Sequence, residues 1–128
     1  MLADVAVEEL GGVSVAHVRG EVDLSNAPDL RATLQDTVQH VSAGLVLDFS
    51  NTVYLDSAGL HFVFELGKRL RDRGQRLEIV APPGAPVTEV LRIVGVETLA
   101  PMSETVEDAV ARLQDSSDLP NLDDFPQV

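Results

Sequence analysis

Asp48-Phe49-Ser50-Asn51-Thr52-Val53-Tyr54-Leu55-Asp56-Ser57-Ala58-Gly59-Leu60 decides how the rest of the chain is read. It follows the apolar run Gly44 to Leu47, passes through polar residues expected to form a turn, and opens a helical pattern at Asp56 and Ser57. Strand, turn, helix is the expected local order. An aspartate in front of a helix can accept a hydrogen bond from a first-turn amide that has no helical acceptor, which makes Asp56 the expected cap and Ser57 the first helical residue. The Ser57 hydroxyl then lies at the positive end of the helix dipole, where an added phosphate is locally favourable. Gly59 leaves the next turn without a side chain, so another protein could approach that hydroxyl closely. An ordinary capped helix would show the same Asp-Ser pair, so local chemistry permits a phosphoserine without requiring one.

Upstream, Val5 to Leu10 and Val13 to Arg19 read as two strands joined at Gly11-Gly12, because glycine supplies the positive φ angles of tight hairpins. Val13, Val15 and His17 share one strand face, and His17 reads as a strand histidine with a satisfied ring. Gly20-Glu21-Val22-Asp23 ends that strand. Ser25, Asn26 and Pro28 mark a helix start, and Leu30, Leu34, Val38 and Val41 give the helix one buried stripe. Gly44 closes it, and Leu45, Val46, Leu47 and Phe49 look like a strand buried on both faces.

Downstream, a helix is expected from about Ser57 to Arg73, with Leu60, Val63, Phe64 and Gly67 inward, Phe62 and Leu66 widening the apolar arc, and Gly74 as C-cap. Lys68, Arg69, Arg71, Arg73 and Arg76 crowd its end, where they complement the dipole. Leu77 to Val80 is a further buried-type strand. Pro82-Pro83-Gly84 breaks the chain, Val87, Val90, Leu91 and Val94 form a short helix stopped by Gly95, and Val96 to Ala100 is a candidate short strand. Ser103 is the expected cap of a last helix with Val106, Ala109, Val110 and Leu113 inward. From Gln114 onward there are four acids, two prolines and no base, which reads as a disordered acidic tail. The expected organisation is one domain over residues 1–113 and a tail over 114–128.

A length of 128 residues suits one domain with a full core. A net charge of -12 repels nucleic-acid phosphates and anionic lipid alike, and with no Trp and one Tyr there is little to stack on bases. A protein with a basic face is the expected partner. The absence of cysteine excludes disulfides and thiolate metal sites, the three histidines lack metal-ligand spacing, and no cofactor site is read. Met1 to Leu10 lacks the features of a signal peptide and no apolar run approaches a membrane span, so a cytoplasmic protein is expected. Ser57 and His61 lie four apart and could be imagined as a hydrolase dyad oriented by Asp23 or Asp56. Gly-x-Ser-x-Gly is missing and no oxyanion site is indicated, so a non-enzymatic role is expected.

A hairpin followed by alternating strands and helices implies an α/β fold of α+β type, a mixed sheet with its helices mainly on one face. In this setting two blocks carry a resemblance: Gly20-Glu21-Val22-Asp23, and Asp48-Phe49-Ser50 through Val53 and Leu55 to Asp56-Ser57-Ala58-Gly59-Leu60. The chain resembles the STAS domain of anti-anti-sigma factors, the bacterial antagonists of anti-sigma factor kinases, over roughly residues 3 to 113. The resemblance implies a STAS fold with a four- to five-stranded sheet and about four helices. It also implies a partner switch. Ser57 aligns with the serine that a GHKL-type anti-sigma serine kinase phosphorylates from ATP; the unphosphorylated form binds that kinase and frees its sigma factor, and a PP2C-type phosphatase resets it. Asp23, Ser25 and Asn26 align with the loop beside the serine, and with Asp56, Ala58, Gly59 and His61 they make up the expected kinase-facing surface. Many members have Ser or Thr at Ala58 and often Gly at His61, departures that bear on the kinase contact. The Ala58 departure leaves a second reading open, a STAS scaffold or soluble partner of a lipid transporter in which Ser57 is never phosphorylated.

Overall fold

The structure, a computed structural model, describes residues 4–38 and 44–118, with side chains to residue 115. Strands β1 (Asp4–Leu10) and β2 (Val13–Val22) form an antiparallel hairpin, turned at Gly11 and Gly12 with φ of 59° and 81°. Helix α1 (Ala27–Val38), strand β3 (Gly44–Leu55), helix α2 (Ser57–Asp72), strand β4 (Arg76–Val80) and helix α3 (Thr88–Ile93) follow. A 3-10 turn (Val96–Thr98), strand β5 (Met102–Ser103) and helix α4 (Val106–Asp118) complete the described chain.

The strands lie in the order β1-β2-β3-β4-β5, parallel from β2 onward. Right-handed crossovers that step one way across a sheet deliver their helices to one face. Accordingly, the inward side chains of α1, α2 and α3 share a core with Ala16, Val18, Leu45, Leu47, Phe49, Leu77 and Ile79. The opposite face, with Val13, Val15, Val46 and Val80, is covered by Ala109, Val110 and Leu113 of α4. This is the expected mixed fold, with three helices on one face and one on the other.

The largest departure from the sequence reading lies next to Ser57. No turn follows Phe49; β3 runs unbroken to Leu55, and β2 continues beside it until Val22 pairs with Leu55. Strand β4 pairs with β3 only from Gly44 to Asp48, so the far end of β3 has a neighbour on one side alone and tolerates polar residues. Two register shifts interrupt the β2–β3 ladder here. The buried Thr52 hydroxyl donates to the Val18 carbonyl at 2.6 Å, satisfying an acceptor beside the irregularity.

Other boundaries move for equally local reasons. The expected strand at Val96 to Ala100 holds a 3-10 turn, Val96–Thr98, instead; Val96 and Ala100 are buried while Glu97 and Thr98 face solvent, whereas a strand would bury every second residue. The cap of α4 is Thr105, whose hydroxyl accepts from the Asp108 amide at 3.1 Å; Ser103 sits in β5 and accepts from Arg112 Nη2 at 3.1 Å. Helix α4 reaches Asp118, so residues 114–118 are helical, and Gln114 Nε2 donates to the Gly11 carbonyl at 2.8 Å. Residues 119–128 and Val41 lie outside the described residues. Val94 is exposed, and α2 buries Phe62, Val63, Leu66 and Leu70 with Leu60 and Phe64 at the margin, because this helix meets both α1 and the sheet.

Two ionic clusters mark the α4 side of the sheet. The fully buried Glu78 lies 3.0 Å from Arg76 Nη2 and 3.0 Å from Arg112 Nε, which links α4 to β4. Burial pushes its carboxyl above the ordinary value, and the two arginines only partly counter this. His17 places Nδ1 2.7 Å from Asp48 Oδ2 and Nε2 2.5 Å from Glu8 Oε2, and Asp48 also accepts from the Ser50 hydroxyl at 2.6 Å. The ring is thus satisfied, by partners that only strand pairing brings together. Partial burial works to lower the His17 pKa, but the hydrogen bonds and charges of Asp48 and Glu8 together outweigh it, and the net shift is upward.

A histidine whose pKa is raised by folding adds stability that is complete below its unfolded value of about 6.5 and disappears as pH climbs through the folded value. Urea unfolding of wild type and His17→Gln between about pH 5.5 and 9 should therefore show a wild-type advantage that is largest at the acid end and fades toward the alkaline end. A constant difference across that range would contradict the linkage.

Candidate functional site

At the carboxyl ends of β2 and β3 both strands turn into helices. Asp56 joins the two turns. Its backbone is extended, its Oδ1 accepts from the Gly59 amide at 3.0 Å, and its Oδ2 accepts from the Leu24 amide at 3.1 Å. Its own amide donates to the Val22 carbonyl at 3.2 Å. The expected cap of α2 is therefore present, and the same carboxylate also holds the loop between β2 and α1.

That loop is tied internally as well. Asp23 Oδ1 accepts from the Ser25 amide at 2.9 Å and from its hydroxyl at 2.5 Å. The Ser25 hydroxyl is the main influence holding the Asp23 carboxyl below its ordinary pKa, with the Ser25 and Asn26 amides assisting. Asn26 is buried; its Oδ1 accepts from the Asp23 amide at 3.0 Å and its Nδ2 donates to the Glu21 carbonyl at 2.8 Å. Its side chain thus turns back into the loop instead of reaching a partner.

Ser57 is exposed at the first position of α2. Ala58 is half-buried and packs against the core. Gly59 requires a correction. It is buried, and a Cβ there would stand 3.0 Å from Leu55 Cδ2, 3.1 Å from Val22 Cγ1 and 3.2 Å from the Val22 carbonyl oxygen. The missing side chain lets α2 settle onto the ends of β2 and β3; it opens no space around the Ser57 hydroxyl.

His61 is exposed one turn beyond Ser57, with Nε2 3.2 Å from Glu65 Oε2, while Glu65 Oε1 lies 2.9 Å from Arg31 Nη2 of α1. The imagined dyad therefore has its histidine held by Glu65, and both Asp23 and Asp56 are engaged with loop groups. Among the described residues no group of three or more histidine or acidic side chains is placed to hold a metal ion. No described helix is long and apolar enough to cross a membrane.

The structure exposes three apolar residues to which the sequence reading gave no surface role. Leu24 is 75% exposed, and Val53 and Tyr54 are each 50% exposed. Leu24 sits in the loop tethered by Asp56, and the other two lie in the last residues of β3 before Asp56. The available signal was a large apolar residue among turn formers, Asp23-Leu24-Ser25-Asn26.

The STAS domain family model matches residues 4–109. A Bordetella bronchiseptica protein, BtrV, named as an anti-sigma factor antagonist, is 31% identical over 108 residues, covering 84% of this chain and 91% of its own. RsfB of Mycobacterium tuberculosis, named as an anti-sigma-F factor antagonist, is 26% identical, covering 83% of this chain and 85% of its own. The crystal structure of an anti-sigma factor antagonist from Mycobacterium paratuberculosis superposes with a TM-score of 0.79 at 28% identity, over 88% of this chain and 95% of the other.

Replacing Asp56 by Ala should remove a helix cap and a loop tether together. The expected loss is about 1–2 kcal/mol in urea unfolding, the upper part of the range for a cap. Amide exchange should accelerate at both Leu24 and Gly59; acceleration at Gly59 alone would show that the loop does not depend on this carboxylate.

Proposed function

We propose that this chain, which belongs to the STAS domain family, is an anti-sigma factor antagonist switched by phosphorylation of Ser57. Unphosphorylated, it binds an anti-sigma serine kinase of GHKL type and so frees the sigma factor. The kinase then transfers the γ-phosphoryl group of ATP: a bond forms between phosphorus and the Ser57 oxygen, the bond to the β–γ bridging oxygen breaks, ADP leaves, and the hydroxyl proton passes to a base of the kinase. A PP2C-type phosphatase returns the serine by hydrolysis. The role is supported by the names borne by the relatives, and the site by one observation above all, an exposed serine at the first position of α2.

The physical consequences follow from that position. A phosphate adds about -1.5 to -2 charge and strong acceptor oxygens. At a helix N-terminus the fold tolerates it, since the dipole and first-turn amides favour an anion there. A partner that covers Leu24 and the start of α2, however, must dehydrate a dianion beside the acids Asp23 and Asp56. Release therefore comes from electrostatic and desolvation mismatch, without unfolding. Asp23, Ser25, Ser57 and His61 stand at that surface, while Asn26 and Gly59 support it from beneath.

The test uses wild type, Ser57→Ala and Ser57→Asp as baits in lysate of the source organism. Wild type and Ser57→Ala should retain an ATP-binding anti-sigma kinase that Ser57→Asp loses, and that kinase with ATP should add one phosphate to wild type and none to Ser57→Ala. Leu24→Ser should weaken capture by about tenfold, the effect of one exposed leucine buried at an interface, without altering unfolding. Recovery of the same proteins by all baits, with no kinase among them, would instead favour the scaffold or transporter-partner reading.

A further inference from the structure

Between Ser57 and the second turn of α2 the residues are Ala58, Gly59, Leu60 and His61, so His61 is the first side chain along this helix that can carry positive charge. Residues four apart on a helix are neighbours on its surface, about 5–6 Å between Cβ atoms, and helical side chains lean toward the N-terminus. The exposed side of α2 thus carries Ser57, His61 and Glu65 in line, with Arg31 of α1 reaching Glu65 from the side. His61 Nε2 is 3.2 Å from Glu65 Oε2, but Glu65 already has the Arg31 guanidinium 2.9 Å from its other oxygen. Glu65 can therefore lose the imidazole and stay paired. The carboxylates nearest the start of α2 are committed elsewhere, Asp56 to two amides and Asp23 to Ser25. Neither competes for the ring through a direct bond.

We propose that His61 is the counter-charge of a phosphate on Ser57, its ring leaving Glu65 and turning back one helical turn to donate from nitrogen to a phosphate oxygen. The inference rests on the reading of Ser57 as the phosphoacceptor and adds to it a residue that sets how the modified form is held. Phosphorylation then does more than place negative charge at the tip of α2. It rearranges an exposed row of alternating charge, leaving Glu65 with Arg31 alone and fixing the phosphate against the α2 surface. His61 is a positioning residue in this scheme. The charged groups that bear on it are Glu65 along α2, Arg31 from α1, and Asp56 and Asp23 from the turns at the helix start.

The experiment installs phosphoserine at position 57 during translation, so that it does not depend on whether a kinase ever acts there. A phosphorus NMR titration of the phosphoprotein reads the second ionisation of the phosphate, near pH 6 when unperturbed. A cation hydrogen-bonded to the phosphate, its charge about 4 Å from phosphorus, should lower that midpoint by about 0.7 pH unit in water. The midpoint in His61→Gln should accordingly lie higher than in wild type by that amount, His61→Lys should restore the low value, and Glu65→Gln should leave it low. In the same samples the His61 ring nitrogen signals should shift between the serine and phosphoserine forms. Coincident midpoints for wild type and His61→Gln, or ring signals unchanged by the phosphate, would overturn the proposal. All these positions are exposed, so the variants should fold as wild type does. Failure of the kinase assay with a positive titration would count against the kinase reading alone.

Discussion

One carboxylate organises the functional end of this molecule. Asp56 accepts from Gly59 at the start of α2 and from Leu24 in the loop before α1, while its backbone amide donates to Val22 at the end of β2. Segments more than thirty residues apart in sequence are thereby held at one point, as the separation of 32 between Leu24 and Asp56 records. An ordinary helix cap satisfies one orphan amide. Here the second oxygen of the same group is used to place a second element, which is why loop and helix present one surface.

The close approach that this tether requires depends on Gly59. Val22 and Leu55 end their strands directly beneath it, and the helix can sit on them only where no side chain intervenes. Rigidity beneath and exposure above are therefore two results of one packing arrangement. Asn26 contributes from the other side by closing the loop on the amide of Asp23 and the carbonyl of Glu21. In the proposed switch, a charge added to Ser57 would meet a support that has little freedom to yield, so its effect would be expressed outward.

The two faces of the sheet have different electrostatic characters. The face under α1, α2 and α3 is built from aliphatic and aromatic side chains. The face under α4 contains the buried Glu78 with its arginines and the His17 cluster with Glu8 and Asp48. Most of the ionic structure that responds to pH thus lies on the α4 side, whereas α2 forms part of the apolar core on the other. Protonation of His17 and the proposed modification of Ser57 would consequently act through separate parts of the fold.

Sequence alone determined the alternation of strands and helices, the hairpin at Gly11-Gly12, the cap at Asp56 and the position of Ser57, because each depends on periodicity or on a hydrogen bond within a few residues. The length of β3 was not legible. Ser50, Asn51 and Thr52 have turn-like composition, and they stay extended because β2 lies alongside and Thr52 can satisfy the Val18 carbonyl. Glu8 and Asp48 around His17, Thr105 in place of Ser103 as the last cap, and the helical extent of residues 114–118 were decided by neighbours brought in through strand pairing and helix docking. Gly59 shows the difference most plainly: its identity suggested open space, but the direction of a missing Cβ is set by how the helix is rotated on the sheet, and that rotation exists only in the folded chain.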